Sequence, residues 1–223
     1  MAYTLSTFRT LLAYYLMRAD ITDAMLTSFI QIAQRKIERE NWKCMKATGT
    51  ASFTSTVDYF AEPTRYKESI ALFITVNGVQ YRLVKDTYEN MISAWPYGST
   101  RTGVPKVFAF DDANSKIYVR PYPDGTYVYV HNYYALTAEM TADANHNFWT
   151  DTAWEVLLYG SLLEATPYIM GDTRLATWNQ YYQDAKNTLR DMETSEEFAG
   201  SHQAIKSDYG DVVVARKIGD YAV

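Results

Sequence analysis

The sequence predicts an α+β fold: N- and C-terminal helices forming a helical bundle, an inserted antiparallel β-sheet or sandwich lobe, and an extended C-terminal arm. Three observations predict it. Apolar residues recur at helical spacing near both ends of the chain. The middle turns to Thr, Ser and aromatics broken by turn dipeptides. After Ser195 all periodicity stops. The division that follows is 1–45 and 147–195 for the helices, 46–146 for the β lobe and 196–223 for the arm.

Leu5, Phe8, Leu12, Tyr15 and Leu16 space a first helix, with Thr4 as its N-cap. A second starts at Asp20 or Thr22 and carries the stripe Ile21, Met25, Phe29, Ile32, Ala33 and Ile37. Its charged end, Arg35, Lys36, Glu38, Arg39 and Glu40, reads as a solvated face. Strands begin at Lys46. Leu72–Val76 and Val79–Val84 flank Asn77-Gly78, the strongest short hairpin signal. Asp86 or Thr87 caps a short helix ending at Trp95-Pro96, and a loop follows. Val107–Phe110 turns into Ile117–Arg120, which turns through Pro123-Asp124-Gly125 into Tyr127–Tyr134. Neither face of that last strand is polar, so cover on both sides is expected, from a second sheet or a neighbouring subunit.

Helix returns near Thr152, through Trp154, Leu157, Leu158, Ser161, Leu162, Ala165 and Ile169. Gly160 and Ser161 leave room for a close neighbour, although an interior Gly costs about 1 kcal/mol against Ala. Pro167 ends or kinks this helix. Leu175, Trp178, Tyr182, Ala185 and Leu189 form the stripe of the next. This apolar segment raises the expectation that residues 152–169 pack on their own chain and on further copies. Glu164 reads as a buried acid or as the partner of an Arg or Lys on another helix or subunit.

Among 223 residues are 20 Tyr, 9 Phe and 5 Trp, and the net charge is −5. Tyr serves cores and protein interfaces alike. An acidic chain lacks the basic face of a nucleic-acid binder. One cysteine, Cys44, forms no internal disulfide and reads as a buried thiol. Leu11–Met17 lacks the leader and cleavage site of a signal peptide, and no run approaches the roughly 20 apolar residues of a membrane span. His131, His146 and His202 stand apart, without metal-ligand spacing. A phosphate-binding glycine loop and a nucleophile elbow are both missing. Cofactors are therefore expected to be none. Another class stays open: a glycan hydrolase with two carboxylates roughly 5–10 Å apart.

Several stretches, taken in order, resemble the head-to-tail adaptor (connector or gateway) proteins of tailed bacteriophages, above all those of short-tailed phages. They are "DITDAMLTSFIQIAQRKIERE", "DTYENMISAWPYG" followed by "GVPKVFAF", "IYVRPYPDG", and "NYYALTAEMTADANHNF" leading into "EVLLYGSLLEATPYIMGDTRLATWNQYYQDA". Together they cover most of residues 20–190, whereas His131 and the segment after Ser195 depart from the family pattern. The resemblance implies a virion protein of the head–tail neck, assembled in the host cytoplasm, with a tail-tube or tail-completion protein as the alternative. It implies a ring, usually of twelve copies, with the portal on one side and tail or nozzle proteins on the other. DNA passes through the centre without specific binding, no membrane takes part, and no catalytic residue is carried over. Rings need two different sticky surfaces per subunit. The residues expected at subunit or helix packing are Trp154, Leu158, Gly160, Ser161, Glu164 and Trp178. Those expected on a portal-binding arm, disordered until assembly, are Phe198, Ile205, Tyr209, Val212, Val213, Val214, Ile218 and Tyr221. The β lobe is expected to face outward or toward the tail, with the helices forming the ring.

Overall fold

The structure, a computed structural model, describes residues 2–18, 20–55, 57–96, 100–169 and 172–198. Helix α1 (Leu5–Leu16) opens with a capping box between Thr4 and Thr7 and closes at Met17, whose N–H makes the last helical bond to the Ala13 carbonyl and whose φ of 52° then turns the chain away. Helix α2 (Asp23–Ile37) is capped by Thr22 and carries Arg35 and Lys36 in its last turn, where cations suit the helix dipole. Its buried residues are Leu26, Phe29, Ile30, Ala33, Gln34 and Ile37. The stripe read from the sequence is therefore partly displaced, and Ile32 is 46% exposed. Contacts with α1 and with the later helix Trp154–Glu164 widen the buried arc toward Leu26 and Ile30.

A 3-10 turn at Lys43–Met45 leads into the β region, and Asn147 later caps the short helix that reopens the helical part. In chain order the strands are β1 (Lys46–Phe53), β2 (Tyr59–Ala61), β3 (Tyr66–Val76), β4 (Val79–Arg82) and β5 (Val84–Lys85). After helix α3 (Tyr88–Ala94) come β6 (Thr102–Gly103), β7 (Val107–Asp111), β8 (Lys116–Arg120), β9 (Tyr122–Pro123) and β10 (Tyr127–Ala135). One sheet, antiparallel throughout, has the order β1-β10-β3-β4; a second, in which β5 joins β7 in parallel, has the order β2-β8-β7-β5; and β6 pairs with β9 in parallel. The β3–β4 hairpin turns on Asn77 and Gly78 with φ of 52° and 80°, the left-handed pair that a two-residue turn requires.

The two sheets face each other across a shared core. Phe53, Leu72, Ile74 and Tyr129 of the first meet Phe108, Ile117 and Val119 of the second. One expectation fails here: β8 does not pair with β10. The chain leaves β8 at a cis Arg120–Pro121 bond and crosses to the other sheet, where β10 lies between β1 and β3. That placement stacks the Tyr129 ring on Phe60 of β2 at 4.4 Å. The opposite face of β10 is covered only in part: Val128 is 46% exposed, while Tyr134 packs against the helical core.

The second helical part is α4 (Phe148–Asp151), α5 (Trp154–Glu164), a 3-10 turn at Thr166–Tyr168 holding Pro167, and α6 (Leu175–Phe198). It shares a single core with α1 and α2 through Phe8, Leu12, Ile30, Trp42, Trp149, Leu157 and Leu162. Helix α6 outlasts the boundary expected at Ser195. Its final turns are held from outside: the Glu193 carboxylate accepts the N–H groups of Lys43 (2.7 Å) and Cys44, and Glu196 pairs with Lys43 at 2.9 Å. Those partners lie about 150 residues away in sequence, where local periodicity cannot show them.

Candidate interaction surfaces

Helix α5 gathers most of the residues singled out by the sequence. Leu158, Gly160 and Ser161 are buried, and so is Trp178 of α6. A Cβ added to Gly160 would lie 3.3 Å from the Tyr182 ring, 3.5 Å from the Ala33 methyl and 3.7 Å from Ile37. The close neighbours that glycine admits are thus α6 and α2 of the same chain. The Ser161 hydroxyl donates to the Leu157 carbonyl at 2.7 Å. Glu164 pairs with Lys36 of α2 at 2.6 Å. Trp154 stands apart at the start of α5, half-buried against the Tyr3 ring at 5.6 Å. The monomer therefore accounts for the apolar character of α5. Gly160→Val is expected to cost about 1–3 kcal/mol of stability by overpacking. Gly160→Ala should stay within about 1 kcal/mol, since better helix propensity offsets the tight tyrosine contact. Urea unfolding checks both, and equal costs for the two would contradict the packing described.

The residue that sequence reasoning missed is Glu38. Read as part of a solvated face, it is 1% exposed. Its carboxylate accepts hydrogen bonds from Arg35 (2.7 Å), Gln34 (3.2 Å), the Thr137 N–H (3.1 Å), the Thr137 hydroxyl and the Trp149 indole (3.0 Å). Arg35 also binds Glu139 at 2.7 Å. Beside this hub, Lys67 of β3 donates to the carbonyls of Glu38, Arg39 and Glu40 at 2.7–2.9 Å. A strand lysine thus satisfies the orphan acceptors at the end of α2 and ties the β lobe to the helices. Glu40 completes the join with Lys186 and Arg190 of α6; burial opposes its charge, but those two donors prevail and hold its carboxyl below the usual range. Glu38 is buried because α2 ends at the junction of the two halves, whereas Lys36 and Arg39 of the same run stay exposed as the sequence suggested.

Within the β lobe His131 is 1% exposed, its Nε2 3.0 Å from the Ser69 hydroxyl and its Nδ1 without a partner among the described residues. The rings of Phe60, Tyr66 and Tyr133 surround it. Burial pushes its pKa down from 6.5 to about 4. The unfolded chain then binds a proton that the native chain refuses between those values, so stability falls as pH drops through that window. Over the whole window the loss is about 3 kcal/mol. Thermal unfolding of the wild type and His131→Gln between neutrality and pH about 4 reads it. The variant should lose the slope over that window, and an unchanged slope would contradict the assignment.

A cleft of about 580 Å³ between β3, β5 and the β7–β8 turn is rimmed by Glu68, Asp86, Glu89 and Asp112. Burial and the Asp112 charge raise the Glu62 carboxyl, yet Glu62 is not among the residues lining the cleft. Among the described residues no group of three His, Cys, Asp or Glu is placed to hold a metal ion. On the helical side Tyr14, Met17, Tyr168 and Tyr181 are all exposed, the first two by more than three-quarters of their surface. Of the residues expected on the arm, Phe198 belongs to the last turn of α6. Ile205, Tyr209, Val212, Val213, Val214, Ile218 and Tyr221 lie outside the described residues.

Comparison with known proteins gives one family. A family model described as "SU10 adaptor protein" matches residues 3–204. No curated protein matches the chain.

Proposed function

The chain belongs to the SU10 adaptor protein family, and from that premise we propose that it forms a ring between portal and tail, through which DNA passes. The family match over residues 3–204 carries this reading. Phage adaptors are structural proteins of the virion, and the reading assigns no catalytic residue, cofactor or metal to the chain. No helix among the described residues is long and apolar enough to cross a membrane.

The finer features of the proposal are these. The ring holds twelve copies at the head–tail neck, meets portal on one side and tail or nozzle proteins on the other, and is assembled in the host cytoplasm. Helices of residues 1–45 and 147–198 act as a bundle, and the β lobe of 46–146 as a second unit. The segment after Phe198 is an arm that docks on the portal. Contacts between copies fall on exposed residues, since Leu158, Gly160 and Ser161 are engaged inside the chain. Exposed Tyr and Met supply apolar contact area for them, and such contacts resist salt that would screen ion pairs. An acidic chain also suits a lumen that lets DNA slide, because a basic wall would hold it through counterion release.

Sizing of the purified protein tests this directly. A closed oligomer should persist from about 50 to about 500 mM salt and bind duplex DNA only weakly. A species that stays monomeric with and without portal, or that binds DNA tightly in a salt-sensitive way, would overturn the reading.

A further inference from the structure

The edges of the two sheets are guarded unequally. In the second sheet the edge strands β2 and β5 are only three and two residues long, too short to template another strand. In the first sheet β1 is an edge of eight residues. It pairs with β10 without any register shift from Lys46 to Phe53, so no bulge twists its free side away. It contains no proline, and beyond Lys46 no charge. Soluble proteins normally blunt so long an edge with one of those devices. The opposite edge, β4, exposes all four of its residues, among them Val79 and Tyr81, both more than half exposed.

We propose that β1 of one copy adds to β4 of the next, so that the first sheet runs on from subunit to subunit. The proposal rests on the ring reading and names the surfaces that build the ring. Polarity favours it. Four strands alternate in direction, so β4 and β1 run oppositely, and the β1 of a neighbour brought beside β4 meets it antiparallel. A rotation repeats that contact without turning any subunit over, which is the heterologous contact a cyclic ring requires.

Side-chain size favours it as well. Ala51, Tyr129, Ile74 and Tyr81 form one row across the sheet, so Ala51 and Tyr81 lie on the same face at opposite edges. On that face β1 offers the small Ala47, Gly49 and Ala51 before ending at the buried Phe53, whereas β4 offers the large Val79 and Tyr81. Extending the row places Tyr81 of one copy over Ala51 of the next. The exposed aromatic is then covered, and the small residues leave it the space.

A charge-swap series tests the contact by measuring the protein concentration at which the oligomer half-assembles. A51K and Y81E sit on exposed edges, so each variant should fold as the wild type does by circular dichroism. Each alone should raise the midpoint at least tenfold, while A51K combined with Y81E should restore it. The control A113K, in the exposed β7–β8 turn, should leave it unchanged. If the wild type forms rings that both single variants also form, the ring reading stands and the strand contact is refuted. If A51K blocks assembly and the double variant does not recover it, another strand occupies β1 and the proposal is overturned. Failure of the wild type to oligomerise with or without portal would overturn both.

Discussion

Glu38→Ala is expected to lower the unfolding free energy by about 3–5 kcal/mol, the largest effect of any single substitution considered for this chain. The cause is the number of groups that one carboxylate satisfies. Removing it leaves the Arg35 charge without its buried partner, and leaves the Gln34, Thr137 and Trp149 donors with fewer acceptors in a water-poor junction. Domains of this size are stable by only about 5–15 kcal/mol, so the loss is a large fraction of the total. Glu38→Gln should cost less, because its carbonyl still accepts while its amide opposes Arg35. Urea melts of the three proteins decide. A loss below about 1 kcal/mol for Glu38→Ala would show that the hub contributes little.

Truncation after Phe198 is expected to abolish joining to portal-containing heads while leaving the fold intact. The cut removes none of α6, whose last described contacts, from Glu193 and Glu196 to Lys43 and Cys44, remain in place. What goes is the segment holding Val212-Val213-Val214, a run suited to adding a strand to a sheet edge on the portal. Unchanged thermal stability with loss of attachment would support an arm, and attachment equal to that of the full chain would refute it.

The helices and hairpins were legible in the sequence because their signals are local. Thr4, Thr22 and Thr87 each cap the helix they precede, and Asn77-Gly78 turns the hairpin it marks. What the sequence hid depends on distant partners. Glu38 looks like any charged residue at a helix end until Thr137 and Trp149 fold over it from about a hundred residues away. Glu193 and Glu196 extend α6 past its apolar stripe for the same reason. The order of strands in two sheets was hidden too, since turn residues after β8 specify a reversal without specifying which sheet receives the next strand. Of the residues singled out on α5, Gly160 was legible as a site of close approach, whereas the identity of its neighbours required the fold.

Electron cryomicroscopy of the purified protein mixed with the portal protein of its phage tests the central claim most directly. The account predicts a closed ring seated coaxially on the portal, with an open channel along the shared axis. Copies bound around the portal's side, or no complex at concentrations where both proteins are folded, would contradict it.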